Sequence, residues 1–389
     1  MANAFNDTSS IAGLVQTAYD RYVEFALRAQ PMIRAVADKK PVQQAMPGSS
    51  VVFSLYNDLA AATSTLTETT DPDAVALSNV DTVSVTLNEY GNASLVTRKL
   101  QLFSLSDVDP AVADIIAFNM ADSLDIVAQN TLRQGTNVIY GGTRTSTATV
   151  TASDTIDSAD IRKAVAKLRS NKAVPRAGSL YWVGIHPEVS HDLRAESGSV
   201  GWRDTHAYTD ASLGNLFAGT IGTYEGAFFV ENSRMFSAKD GADQTDLATA
   251  PAVSGVSGEF TIVAANAAFG GKAEVGDKIA GTNVGASAKI TAISVGATNT
   301  TFTVDVANSG TVGTNTLTVT PVTRVFRTLL CGKQALAEAV SQEPGVVIGP
   351  VTDKLMRFRP IGWYGVLGWN RYREEALYRI ETGSSIAAL

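Results

Sequence analysis

Ser50-Val-Val-Phe-Ser-Leu-Tyr56, followed after a Thr-rich interval by Asp81-Thr-Val-Ser-Val-Thr-Leu87, is the stretch on which the reading of this chain turns. Val51, Phe53 and Leu55 alternate with Val52, Ser54 and Tyr56, and Val83, Val85 and Leu87 alternate with Thr82, Ser84 and Thr86. A period of two with β-branched residues on both faces predicts two strands. The interval Ala61-Ala-Thr-Ser-Thr-Leu-Thr-Glu-Thr-Thr-Asp-Pro-Asp73 has neither a helical apolar stripe nor an Asn-Gly type turn, so the expectation is a long ribbon with a mobile tip. An extended run of about sixteen residues reaches roughly 50 Å at about 3.3 Å each, about the width of a compact globule of this length. A two-stranded ribbon alone in water is marginal. Either it leaves the body and another protein surface supports it, or it lies as an ordinary hairpin on its own domain. On the first alternative the chain is incomplete by itself, and the ribbon finds its stabilising surface only on the next copy.

Composition narrows the function classes. The 389 residues allow two or three cores, and a hydrophobic fraction of 45% is ordinary. A charged fraction of 18% falls below the roughly 25% usual for soluble domains, with Thr, Ser, Ala and Gly in its place, which suits extensive self-contact. The net charge of -7 gives no broad electrostatic reason to grip phosphates and argues against specific nucleic-acid binding. Cys331 is the only cysteine, so neither an intrachain disulfide nor a thiolate metal cluster can form. No apolar run reaches the roughly eighteen residues of a membrane span, and the N-terminus lacks the features of a signal peptide. The expectation is a protein that works where it is made, in a cytoplasm, without a membrane partner.

Before the ribbon, residues 9–37 carry a helical pattern from Ile11 and Leu14 through Tyr22 and Phe25, ended or bent by Pro31, and residues 30–48 read as an extended connection. After it comes the strongest helix signal. Asp109 is placed to cap, Pro110 suits the first turn, and Val112, Ile116, Met120, Leu124 and Val127 make one stripe before Arg133 and Gly135 close it. At 1.5 Å per residue it is on the order of 35 Å long, a spine. Residues 136–158 read as loop and strand, 158–172 as a helix burying Ile161, Val165 and Leu168, 180–183 as a buried strand, and Pro187 as the start of another helix. Residues 198–222 read as loop with a short helical piece at 211–218, and 224–230 as a strand, so this region is an α/β layer.

From about Met235 to Pro321 the pattern changes to short strands at Phe260, Lys289–Ile293, Thr301–Val306 and Thr316–Val319 between Gly, Asn and Ser turns, which predicts an inserted small β sandwich or barrel. Its low aromatic content favours a surface or intersubunit role over ligand binding. Residues 324–330 then read as a strand and 332–340 as a short helix. The end of the chain is distinctive: Trp363, Leu367 and Trp369 share one strand face, Gly362 and Gly368 lie on the other where a backbone can approach, and 376–381 make a last strand.

Little in the sequence carries catalytic chemistry. His186, His191 and His206 are not spaced as a zinc pair and read as surface or turn histidines. There is no nucleophile elbow. Residues 269–273 lack the leading glycine and the hydroxyl of a phosphate loop, and the Asp71-Pro-Asp73 and Asp240–Asp243 groups lack the spacing of a calcium loop. Glu374 and Glu375, read as adjacent strand residues, make a poor acid/base couple. No enzyme, metal or cofactor is called for.

The order of arm, long β loop, spine helix, α/β region with a β insertion, and aromatic closing strands resembles the major capsid proteins of tailed bacteriophages. The resemblance is sharpest in three places: Ser50-Val-Val-Phe-Ser54 through Leu66-Thr-Glu68 and Val85-Thr-Leu-Asn-Glu-Tyr-Gly91, which resembles the extended loop of the coliphage N-four-like family, the spine helix at 109–132, and Arg357 to Glu381, which resembles that family's end. It implies an α+β Hong Kong-type capsid fold: an N-terminal arm (1–49), an extended β loop (50–105), spine helix and peripheral domain (106–155), an axial domain in two parts (156–235 and 323–356), and closing peripheral strands (357–389). The segment 236–322 departs from the short family pattern. By the same resemblance Val52, Phe53, Leu66, Glu68, Val85 and Tyr90 carry assembly contacts of the loop, and Ile116, Met120, Leu124, Trp363 and Trp369 hold spine and closing strands together. The implied function is self-assembly as hexamers and pentamers into an icosahedral head enclosing double-stranded DNA without specific binding, with scaffolding, portal and decoration proteins as partners, assembled in a bacterial cytoplasm. The competing reading is a surface or tail adhesin whose β insertion binds a receptor or glycan.

Overall fold

The computed structural model describes residues 31–41, 50–56, 61–63, 65–66, 68–69, 71, 80–103, 108–196, 220–265, 273–313, 316–350, 355 and 357–386. The helix expected over 9–37 falls outside the described residues up to position 30, as do the helical piece at 211–218, His206, most of the glycine-lysine turn at 269–273 and the ribbon interval outside the scattered positions named above.

The ribbon strands form as read. β2 (Ser50–Tyr56) pairs antiparallel with β3 (Val80–Thr86), with Val51 opposite Val85 and Phe53 opposite Val83. One face of the pair carries Val51, Phe53, Val83 and Val85, and that face decides where the ribbon root goes. Phe53 and Val85 are buried with Ala337, Ala339 and Tyr372 of the same chain. The expectation that the ribbon is stabilised only by another copy is therefore corrected at its root, which rests on its own body.

That body begins with a four-stranded sheet in the order β1 (Asp38–Pro41), β17 (Leu336–Ile348), β18 (Phe358–Arg371), β4 (Asn88–Thr97). The β1 and β17 pair is parallel and the others antiparallel. The helix expected at 332–340 is instead the start of β17. Leu336 packs toward one cluster, Ala337 and Ala339 toward the ribbon, and Val340 toward the spine helix, so both strand faces are buried. Pairing on both sides and burial on both faces override the helix preference of Ala and Glu. The β4 strand, read as part of the loop, also belongs to this sheet, and Gly91 explains how: a Cβ there would lie 2.8 Å from the Trp363 carbonyl.

A short helix α1 (Arg98–Phe103) leads to the spine helix α2 (Val108–Leu132). Ile116 and Leu124 are buried against Val96, Val340, Ile361, Trp363 and Leu367, with Val112 and Met120 beside them. One turn further on, Ala128 and Leu132 enter a second cluster with Trp182, Val230, Met235, Leu329 and Leu336. A single helix thus ties two sheets into one body.

The second sheet has the order β5 (Val138–Tyr140), β19 (Leu377–Thr382), β16 (Val322–Cys331), β6 (Tyr181–Ile185), β8 (Ala227–Glu231), β7 (Thr220–Tyr224). Helices α3 (Ser158–Ser170) and α4 (Pro187–Ala195) cover one face through Ile161, Val165, Leu168, Val189 and Leu193. Tyr181, Val183 and Ile185 point to them while Trp182 points to the α2 side, which is why this strand reads as an unbroken apolar run. The strand expected over 224–230 is a hairpin: Glu225 and Gly226 have φ of 50° and 82° and reverse the chain between β7 and β8. The closing strands part company, β18 joining the first sheet and β19 the second. Glu374 and Glu375 sit between them on the 3-10 turn Glu374–Ala376 and not on a strand.

Between the end of the second sheet's β9 (Ser237–Asp243) and β16 the chain makes six antiparallel strands: β10 (Ala248–Gly255), β11 (Thr261–Ala265), β12 (Lys278–Gly281), β13 (Ile290–Val295), β14 (Asn299–Val304) and β15 (Thr316–Thr320). Their order is β12-β15-β10-β11-β14-β13, and bonds from Ile279 N to Ala288 O (2.9 Å) and Ile290 N to Asp277 O (2.9 Å) close the ends into a small barrel. Ile262, Ile279, Ile290, Phe302, Leu317 and Val319 fill it. The boundary expected at 236 moves, because β9 pairs with β16 in the body and not with the barrel. The seam between barrel and body is polar. Lys239 meets Asp277 (2.5 Å) and Glu274 (3.0 Å), Arg324 meets Glu274 (3.3 Å), and Lys278 meets Asp243 (2.6 Å).

Candidate assembly interface

The ribbon leaves the body from a defined socket. Phe53 stands edge-on to Tyr372 with ring centroids 5.9 Å apart and planes at 88°, an arrangement that adds to plain area burial. Asn370 donates from Nδ2 to the Ser84 carbonyl at 2.8 Å. A Cβ at Gly368 would run into the Thr86 carbonyl, so glycine is what lets β3 cross β18 this closely. Of the residues expected to carry loop contacts, Phe53 and Val85 are thus anchors inside the chain, and Val85 has no surface left to offer. Val52 points away from the socket and is 57% exposed, and Leu66 is 77% exposed. Glu68 is exposed as well. Tyr90 lies against Trp369, ring centroids 5.9 Å apart, in the sheet rather than on the ribbon.

The expected spine and closing-strand residues do meet. Ile116, Leu124 and Trp363 share one buried cluster with Met120 and Trp369 packed against it. Asn119, which the stripe reading passed over as a polar position, accepts from Trp363 Nε1 at 3.0 Å and from Asn92 Nδ2 at 3.3 Å, tying α2, β18 and β4 at one point. The signal missed was that a buried tryptophan needs an acceptor.

Two buried acids fix the chain on its way to the ribbon. Asp125 on α2 accepts from the amides of Ile33 (2.6 Å) and Arg34 (3.2 Å), and burial pushes its carboxyl up despite them. Glu338, fully buried on β17, takes Arg34 at 2.7 Å, and Glu343 adds a second contact at 3.1 Å. Desolvation works against the Arg34 charge, but these two carboxylates together hold its pKa above the ordinary value. Elsewhere burial, followed by the facing Asp157 carboxylate, pushes Asp160 at the start of α3 up to about 7. Burial also pushes the Cys331 thiol up to about 12, where it is inert. His186 is half-buried at the turn into α4, where its Nδ1 accepts from the Glu188 amide at 3.3 Å and caps the helix.

Two surfaces remain open beside the ribbon. On α1, Leu102 and Phe103 are 73% and 78% exposed, with Leu100, Ile115 and Leu95 nearby in the chain also exposed. Apolar side chains presented in such numbers mark contact surfaces. The second surface is a cleft of about 490 Å³ below the ribbon root, lined by Lys172, Val174, Lys333, Tyr372, Arg373 and Glu375 among others, adjoining a shallower one of about 320 Å³ that reaches Asp38 and Ala337. Sequence reading missed it because its walls come from three distant loops, two of them turning through positive φ at Lys172 (56°) and Gln334 (64°).

The family model described as phage capsid protein matches residues 128–385, two thirds of the chain. The chain belongs to the phage capsid protein family. The matched span runs from the C-terminal end of α2 through both sheets and the barrel to the last strand, and the ribbon lies outside it. This capsid protein also shares its fold with solved capsids. It superposes on the cyanophage Pam1 capsid asymmetric unit with a TM-score of 0.61 at 12% identity, covering 99% of this chain and 100% of that one. The capsid of Ralstonia phage GP4 gives 0.59 at 12% identity over 95% and 96% of the two chains. The acidic stable capsid of Helicobacter pylori bacteriophage KHP30 gives 0.59 at 14% identity over 98% and 99%. No curated protein matches the sequence. The fold is the expected α+β Hong Kong-type, and the protein is a shell-forming structural component of the virion. The adhesin reading is not favoured.

Proposed function

We propose that this capsid protein assembles as hexamers and pentamers into an icosahedral head around double-stranded DNA, each copy laying its ribbon over a neighbour. The observation that carries the ribbon's role is its division of labour: a root packed into its own socket at Phe53 and Val85, and an exposed far part at Leu66 and Glu68. Val52, Leu66 and Glu68 make the contacts between copies. The two-sheet body supports a division into peripheral and axial parts, the four-stranded sheet with α2 serving as the first and the second sheet with α3 and α4 as the second. The net charge of -7 supports enclosure of DNA without sequence-specific grip. Scaffolding, portal and decoration proteins are separate partners, and assembly takes place in the bacterial cytoplasm. The order of loop, spine and closing strands supports a place among the coliphage N-four-like capsids.

The purified chain, examined by light scattering and negative-stain microscopy, forms capsomers or shells. Removing residues 61–74 leaves a folded body, because the socket is untouched, and abolishes closed particles. Normal shells from that variant refute the ribbon's role.

A further inference from the structure

Among the surfaces left open, the cleft below the ribbon root gathers cationic side chains. Three cations stand around it, Lys172, Lys333 and Arg373, and among the described residues none of them is held in an ion pair. The carboxylates there are mostly engaged. Asp38 accepts from the Gln334 amide at 2.5 Å and faces Arg176 at 3.6 Å, while Glu374 takes the Thr136 amide and Arg371 at 2.8 Å. Although burial pushes Glu374 up, these partners hold it below the usual carboxylate range, so it stays an occupied anion. Only Glu375 is left to balance three cations. On a chain whose net charge is -7 this is an electropositive notch. Its floor is partly apolar, with Val174 56% exposed beside Tyr372 and Ala337.

The ribbon's far part has the complementary make-up. Residues 61–73 carry Glu68, Asp71 and Asp73, no base, and one large apolar side chain, Leu66. We propose that the notch receives the ribbon tip of a second copy, Leu66 seated against Val174 and Tyr372 and Glu68 paired with Lys333 and Lys172. This rests on the proposed laying of ribbons over neighbours and names the surface that receives them. The reach is suitable: from the socket at Phe53 to Glu68 is an extended run of roughly 50 Å at about 3.3 Å per residue, about one body width by size scaling. A tip that docks beside the root of the next ribbon makes a head-to-tail contact, and repeated head-to-tail contacts make a ring where the rotation between copies closes and an open filament where it does not. Opposite charge at the rim of such a contact steers encounter and sets register.

The test uses the full chain under assembly conditions. The native Cys331 is fully buried, so introduced thiols are read without background. Glu68→Cys combined with Lys333→Cys, oxidised after assembly, gives a ladder of covalent oligomers on non-reducing gels that climbs to the ring number, and neither single variant gives one. In parallel, Lys333→Glu raises the concentration needed for assembly on the order of tenfold, as loss and reversal of a rim charge do, and adding Glu68→Lys restores it. Circular dichroism confirms that these surface variants stay folded. Particles that form without the ladder, together with an unchanged assembly threshold for Lys333→Glu, overturn the notch as the receiving site and leave the shell intact. An unaltered chain that stays monomeric throughout overturns the shell reading and the notch with it.

Discussion

Truncating Phe53 to alanine separates the ribbon's docking from the fold of the body. The side chain is 7% exposed and makes its edge-on contact with Tyr372 in a cluster with Val85, Ala337 and Ala339. Loss of a buried phenylalanine side chain costs about 3 kcal/mol at the lower end of the core range, and the aromatic pair accounts for about 1 kcal/mol of that. Because an isolated two-stranded ribbon is marginal, the protection of the β2 and β3 amides is set by docking rather than by their own hydrogen bonds. A loss of about 3 kcal/mol therefore speeds their exchange roughly a hundredfold, since each 1.4 kcal/mol is a factor of ten. Hydrogen exchange read by mass spectrometry on peptides covering β2 and β3, with peptides from α2 and β16 as internal controls, measures it directly. Exchange at β2 and β3 within threefold of the unaltered chain, or an equal rise in α2 and β16, refutes the idea that the root is a separately docked unit.

Other perturbations probe the remaining joints. Arg34→Ala strands the fully buried Glu338 without its cation, and the expected loss is about 3 kcal/mol in denaturant melts, as for other broken buried pairs. Asp160 carries a raised folded-state pKa of about 7. The unfolded chain releases that proton near pH 4 while the folded one keeps it, so stability falls as pH rises between about 4 and 7 and levels off above. Asp160→Asn consequently raises the melting temperature at pH 8 by an amount worth on the order of 2 kcal/mol and leaves it unchanged near pH 3.5. Replacing residues 247–321 by a short Gly-Ser linker removes the barrel with its own core and leaves the body's melting transition, followed by near-UV signals of Trp182 and Trp363, within about 1 kcal/mol of the original. A body that no longer folds shows that the barrel is part of the main core.

What could be read in the sequence was what local periodicity decides. The strands around Phe53 and Val85, the spine stripe from Val112 to Leu124, and the glycine face of β18 each follow from spacing alone. Where the reading fails or stays open, the missing information mostly lies far away in the chain. Residues 336–340 read as helix because Ala and Glu favour it, while β1 and β18, nearly 300 and about 30 residues distant, make it a strand. The Glu225-Gly226 reversal lacks the Asn-Gly signature and hid inside an apolar run. The sequence leaves open which surface supports the ribbon because Tyr372, which completes its socket, lies beyond the barrel in sequence. The notch was invisible for the same reason: Lys172, Lys333 and Arg373 come from turns after α3, β16 and β18.

The charged seam at the foot of the barrel has a mechanical consequence. Two strands cross it side by side, Asp243 opposite Val322, pinned by the buried Lys239–Asp277 pair, whose carboxylate also accepts from the Val322 amide at 3.2 Å; around that pin lie ion pairs such as Lys278–Asp243 and Arg324–Glu274, whose side chains are one third or more exposed. Pairs of that kind contribute about 0–1 kcal/mol each and weaken as electrolyte is added. Added electrolyte therefore loosens the rim of the mounting while the buried Lys239–Asp277 pin holds, so salt changes how firmly the barrel is seated on the sheets without detaching it.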